Sequence, residues 1–249
     1  MAQHKEPAAA SAAKGDSGAS DPRSRIIDAL LALAGEQRFE EITISAISAK
    51  AGVSLADFRD AFPSKGAVLA GFSKRIDRIV LQHHSDEMAS ESPKERLFDV
   101  LMRRLDAMSP YRDGLREIGQ WLRRDPLSAL AVNQVVVNSM RFMLEAAGIE
   151  SDGGAGALKL QGLALAWARI VNVWLDDKEP ELSKTMAALD RELSRGARLV
   201  ARVESLDRFA SPLKALARAA FETRRRAADS FRHRPRRRGT EADAREHNL

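Results

Sequence analysis

The chain has 249 residues, enough for one large or two small domains around a sizeable core, and 44% of them are hydrophobic but only 5% aromatic. There is no cysteine, which excludes disulfides, thiolate catalysis and cysteine zinc sites and fits a reducing cytoplasm, the expected location. The net charge of +5 belongs to the tail: residues 224–238 hold eight Arg against one Asp, residues 239–249 one Arg against three acids, and residues 1–223 are neutral. Basicity therefore does not mark the main part of the chain as nucleic-acid binding.

Residues 1–22 are Ala/Ser-rich with nothing to bury, which predicts a disordered leading segment and no signal peptide. The string Gly15-Asp16-Ser17-Gly18 within it matches a serine-protease motif by chance, without a partner His or a strand-rich fold around it. Order is expected from "SRIIDALLALAGEQRF", where Ile26, Leu30 and Leu33 with Ile27, Leu31 and Ala34 mark one helical face. Gly35 reads as its stop, and Phe39 as folding back on that face. Two short helices follow, Thr43 to Lys50 and Leu55 to Phe62. Pro63-Ser64 opens a longer helix with Val68, Phe72, Ile76 and Ile79 on its inner side.

Further helices are predicted at 93–108, 111–124, 127–147, 157–175, 181–208 and 212–231, the last running into the arginine tail. No alternating strand pattern occurs, so the expected fold is all-α. The segment 157–175 is apolar nearly all round, yet Lys159 and Arg169 argue against a membrane span, and no stable membrane insertion is expected. Such a helix needs cover on more than one side. A second subunit is the favoured cover, with Gly162, Ala164, Ala166 and Ala168 permitting close approach; a central helix of a monomer is the competing account.

Between residues 43 and 62 the local chemistry is specific. Thr43 is placed to cap the first short helix, Gly52 to end it in the left-handed conformation, and Ser54 with Asp57 to cap the second. Ile47, Val53, Phe58 and Phe62 face inward, leaving Leu55, Ala56, Arg59 and Asp60 outside. That is helix-turn-helix geometry.

The string "TISAISAKAGVSLADFRDAFPSKGAVL", with the amphipathic helix before it, resembles the DNA-binding domain of TetR-family transcriptional regulators over residues 24–80. The resemblance rests on Thr43, Ile47, Ala51-Gly52-Val53-Ser54, Phe62 and Ser64-Lys65. It implies a three-helix helix-turn-helix domain over 23–80, a helical regulatory and dimerisation domain over 81–222, and a basic disordered tail over 223–249. It further implies a homodimeric, ligand-responsive repressor that binds double-stranded DNA at a palindromic operator. By this resemblance Thr43 and Lys65 contact phosphate, while Ser54, Leu55, Ala56 and Arg59 belong to the DNA-facing surface. The chain departs from the family at Ala56, Arg59, Ala61 and Gly66, where Gly, Tyr, His and Glu are usual. From Thr43 to Gly66 the charge is only +1.

The second half has another likeness. Pro110-Tyr111, Trp174-Leu175-Asp176-Asp177 and Leu189-Asp190, within residues 97–196, resemble the lipid-binding accessory proteins of ubiquinone biosynthesis, which share the TetR fold without binding DNA. Both resemblances imply an apolar cavity for a small effector. Trp121, Met140, Met143, Trp167 and Trp174 are its candidate lining, with plain core packing as the competing account for each.

Enzymatic chemistry has little support. The five His, at 4, 83, 84, 233 and 247, include no i,i+4 pair, and "SDGGAG" lacks the residues of a phosphate loop. Asp176-Asp177 with Glu179 reads as a helix end. No metal and no cofactor are expected.

Overall fold

The computed structural model describes residues 21–82 and 90–202. The expectations for the leading residues before 21, for His83 and His84, for 212–231 and for the arginine tail lie outside the described residues. Backbone contacts group Met1–Ala197 into one compact unit and Arg198–Leu249 into a second, of which residues 198–202 are described and helical. Among the described residues there is no strand, and the fold is all-α.

The first helix, α1 (Pro22–Glu36), starts inside the segment expected to be disordered. Asp21 accepts the Arg23 N–H at 3.3 Å and Pro22 occupies the first turn, where its missing N–H costs nothing. Gly35 does not stop the helix, which ends one residue later with the Gln37 N–H on the Leu33 carbonyl. After a 3-10 turn, Phe39–Glu41, come α2 (Ile44–Ala51), α3 (Leu55–Ala61) and α4 (Lys65–Gln82). Ser64 caps α4 by accepting the Ala67 N–H at 3.2 Å. The buried stripe of α4 runs Val68, Phe72, Ile76 and Val80, whereas Ile79, expected inside, is 39% exposed.

The chain continues through α5 (Pro93–Met108), a 3-10 turn at Ser109–Tyr111, α6 (Arg112–Arg124), α7 (Pro126–Ala146), α8 (Gly153–Asp176) and α9 over 183–202. Ser92 with Glu95, and Asp125 with Pro126, supply the start signals of α5 and α7. By length and composition α7 is apolar enough to cross a membrane. It also buries Ser139, Met140, Met143 and Leu144 and packs on α4, α5 and α8.

Helix α1 packs on α2, α3 and α4 on one side and on α6 on the other. The α1–α6 contact is backbone-close: a Cβ on Gly114 would lie 2.3 Å from the Leu31 carbonyl oxygen, so no side chain fits there. At the same, N-terminal end of α6, Arg112 sits 4.8 Å from the Trp174 ring centroid and donates to the carbonyls of Trp174 and Asp177, while Arg116 donates to the Leu175 carbonyl. Two guanidinium groups thus meet the negative end of α8. Asp177 turns the chain into α9 by accepting the Thr185 N–H at 2.9 Å and the Thr185 hydroxyl at 2.8 Å.

Candidate nucleic-acid interface

The two short helices are fixed by their own sequence. The Thr43 hydroxyl accepts the Ala46 N–H at 3.1 Å. Gly52 ends α2 at φ 63°, ψ 41°, and the Val53 N–H closes the turn on the Ser48 carbonyl at 3.0 Å. Ser54 Oγ accepts the Asp57 N–H at 3.0 Å, and Asp57 accepts the Ser54 N–H at 3.1 Å. The Ser54 hydroxyl also donates to Asp57 at 2.7 Å, and these Ser54 bonds hold the Asp57 carboxyl below its usual range. Ile47, Phe58 and Phe62 are fully inside and Val53 is half-buried, which matches the pattern of their spacing.

Contacts from α1 brace these elements, and nothing in local sequence announced them. Arg25 Nη1 donates to the Ala51 and Gly52 carbonyls, both at 3.1 Å. Arg23 Nη1 donates to the Ala61 carbonyl at 2.9 Å, its guanidinium 4.4 Å from the Phe62 ring centroid. Each arginine therefore satisfies carbonyls at the C-terminal end of one short helix, where a positive charge is most favourable.

The outer face of α3 carries Leu55, 57% exposed, with Ala56, Arg59 and Asp60 also exposed. Arg59 forms no hydrogen bond or ion pair with any described residue. Lys50, by contrast, is paired with Glu36 at 2.6 Å. With 7 residues, α3 is about 10 Å long, a fit for a major groove about 12 Å wide.

Two of the predicted contact residues have structural work as well. The Ser54 hydroxyl is committed to its cap in both directions. The Lys65 ammonium donates to the carbonyls of Phe39 at 3.0 Å and Ile42 at 2.7 Å and lies 4.8 Å from the Phe39 ring centroid. Burial lowers its pKa from the ordinary lysine value, with Glu40 acting in the opposite direction. One of its three N–H bonds remains.

The candidate effector-lining residues do not form one group. Met140, Met143 and Trp174 are fully buried and Trp167 nearly so, all within the close-packed core. Trp121 is instead half-buried against the N-terminal turn, its ring centroid 4.3 Å from that of Phe39. Two surface clefts, one along α5 by Phe98 and Met102 and one between α1 and α6, are lined by none of the five. The residues of the lipid-carrier likeness also have structural roles: Tyr111 donates to Asp28 at 3.2 Å, and Asp177 makes the corner after α8. Among the described residues no group of three or more His, Asp or Glu is placed to hold a metal ion.

No family model matches the sequence, and no curated protein matches it. Solved structures do match. A TetR transcriptional regulator from Nitrosomonas europaea ATCC 19718 aligns with a TM-score of 0.57 at 21% identity, over 72% of this chain and 99% of that one. A TetR transcriptional regulator from Rhodococcus sp. RHA1 aligns with a TM-score of 0.51 at 21% identity, over 70% and 95%. At such identities the likeness establishes the fold.

Proposed function

We propose that this chain, which has the TetR fold, is a sequence-specific DNA-binding transcriptional regulator: a homodimeric, ligand-responsive repressor acting on a palindromic operator in the cytoplasm. The observation that carries this reading is the outer face of α3. Its ends are capped and its inner face is buried, while Leu55, Ala56 and an Arg59 with no hydrogen-bond or ion-pair partner among the described residues are turned to solvent. A guanidinium so placed suits bidentate recognition of guanine. Thr43, whose hydroxyl keeps its own proton, and the remaining N–H of Lys65 are the phosphate contacts, the former at the positive end of α2.

Dimerisation is read from α8. Leu158, Gly162, Leu165, Ala168 and Val173 are exposed at helical spacing, while Leu160, Leu163, Trp167, Ile170 and Trp174 are buried. A second copy covers that stripe, and operator binding requires that the two-fold axis set the two α3 helices about 34 Å apart, one duplex turn. In this reading residues 23–80 form the DNA-binding part and 81–222 the regulatory part, with the basic residues after 223 adding nonspecific affinity.

Selection of bound fragments from a random DNA library by the purified chain tests the proposal. The expected result is an enriched inverted repeat with half-sites about ten base pairs apart. A library that emerges without a consensus refutes it.

A further inference from the structure

Arg104 of α5 is 4% exposed. Its Nη1 donates to Asp77 Oδ1 of α4, the same oxygen that accepts the Ser139 hydroxyl of α7 at 2.6 Å. Nη2 donates to Ser73 Oγ at 3.3 Å, and the guanidinium carbon lies 5.5 Å from the Trp167 ring centroid of α8. Nε is buried and has no partner among the described residues. Neither close packing nor the outer face of α3 accounts for a cation in this place, since a buried ion pair returns little beyond its own desolvation.

Guanidinium groups hold carboxylates best through two parallel N–H bonds. Here Asp77 engages a single nitrogen, and the Nε–Nη2 edge carries only the long bond to Ser73. Nearby the chain is apolar and pliable: Met143 lies one helical turn from Ser139, Met140 adjoins it, and both are unbranched and fully buried.

We propose that Arg104 anchors the carboxylate of an otherwise apolar, fatty-acid-like effector on its Nε–Nη2 edge, with the tail displacing Met140 and Met143 beside Trp167. The effector competes with Asp77, because two carboxylates cannot share one buried guanidinium without heavy cost. Occupation therefore releases Asp77, and with it α4, from α5 and α7. That α4 carries this release to the helix-turn-helix rests on the regulator reading; the binding itself does not.

Calorimetry and thermal melting of the full chain, without DNA, test the site with saturated acids from octanoate to palmitate and the matching alcohols. The best acid is expected to bind about tenfold or more tighter than its alcohol, a difference near 1.4 kcal/mol. Arg104→Met removes that preference. Asp77→Asn acts in the opposite direction: it melts at a lower temperature, is restored by the acid, and binds it about tenfold tighter, having lost the internal competitor. Ser139→Ala, which loosens Asp77, shifts affinity the same way and supplies the sign should Arg104→Met fail to fold. Absence of binding by any acid, equal binding of acid and alcohol, or weaker acid binding by Asp77→Asn overturns the proposal. A chain that binds the acid but selects no DNA keeps this site and loses the regulator reading.

Discussion

The indole of Trp121 on α6 stacks on the ring of Phe39, centroids 4.3 Å apart, and so joins α6 to the turn from which α2 begins. The same turn is held by Glu117 of α6, which accepts the Phe39 N–H at 3.3 Å, and by Arg124, paired with Glu40 at 2.8 Å. From the other side Lys65 caps its carbonyls. This junction ties α6 to the turn that leads into the helix-turn-helix.

Phe39→Ala is expected to cost about 3 kcal/mol of unfolding free energy, and half-buried Trp121→Ala somewhat less. The double variant should lose less than the two together, with a coupling of about 1 kcal/mol, as stacked aromatic pairs show. Urea unfolding of the four proteins measures the coupling. Strict additivity would mean that the rings do not support each other.

Gly114→Ala forces a Cβ against the Leu31 carbonyl, where only backbone can yield. We expect a loss of about 2 kcal/mol or more, as for overpacked cores. Gly196→Ala is the control, since among the described residues nothing lies within 4 Å of its added carbon. Thermal melting of both should separate them clearly.

Arg59→Ala should remove about 1–3 kcal/mol of base discrimination in gel shifts on the selected operator. Its stability should change by less than about 0.5 kcal/mol, because the side chain is exposed and forms no hydrogen bond or ion pair with a described residue. An unaltered preference for operator over random DNA would reassign the outer face of α3.

Leu165→Arg places a charge in the middle of the exposed α8 stripe, at a position 51% exposed in the single chain. Sedimentation velocity should show the dimer of the parent chain converted to monomer, with the helical circular dichroism retained. A monomeric parent chain would place the subunit contact elsewhere or nowhere.

Acid should loosen the helix starts. Hydrogen bonds from Ser54 hold Asp57 below the ordinary 3.8, those from Ser92 hold Glu95 below 4.5, and those from Ser128 hold Asp125 below 3.8. Each lowered pKa stabilises the fold fully above the ordinary value, and the contribution fades as the pH falls through the lowered one. Melting temperature should therefore drop as pH falls below about 4.5, and Asp57→Asn should flatten part of that decline.

Much of this structure was legible because its determinants are local. Thr43, Gly52, Ser54 and Asp57 each bond to a partner within four residues of their own position, so the caps and the left-handed turn could be read directly. The α-helical class followed from the periodicity of apolar residues in the same way. What escaped is long-range. Arg23 and Arg25 reach carbonyls 26 to 38 residues away, and Asp77 meets Arg104 and Ser139 across 27 and 62 residues. No spacing rule links such partners. The partner of Trp121 escaped for a related reason: its place in the sequence suggested cavity lining or core, but that it faces Phe39 is decided by how α6 crosses α1. The carbonyl partners of Lys65 were not legible either, because they come from a turn 23 to 26 residues before it.

The ties from Arg23 and Arg25 have a mechanical outcome. With the trailing carbonyls of both short helices lashed to α1, the three helices are braced as one body, so under the proposed function a push from elsewhere would tilt that body, the reading head, rather than bend it. In a two-fold assembly such a tilt would change the stride between the heads, leaving each one's grip on a single half-site unaltered.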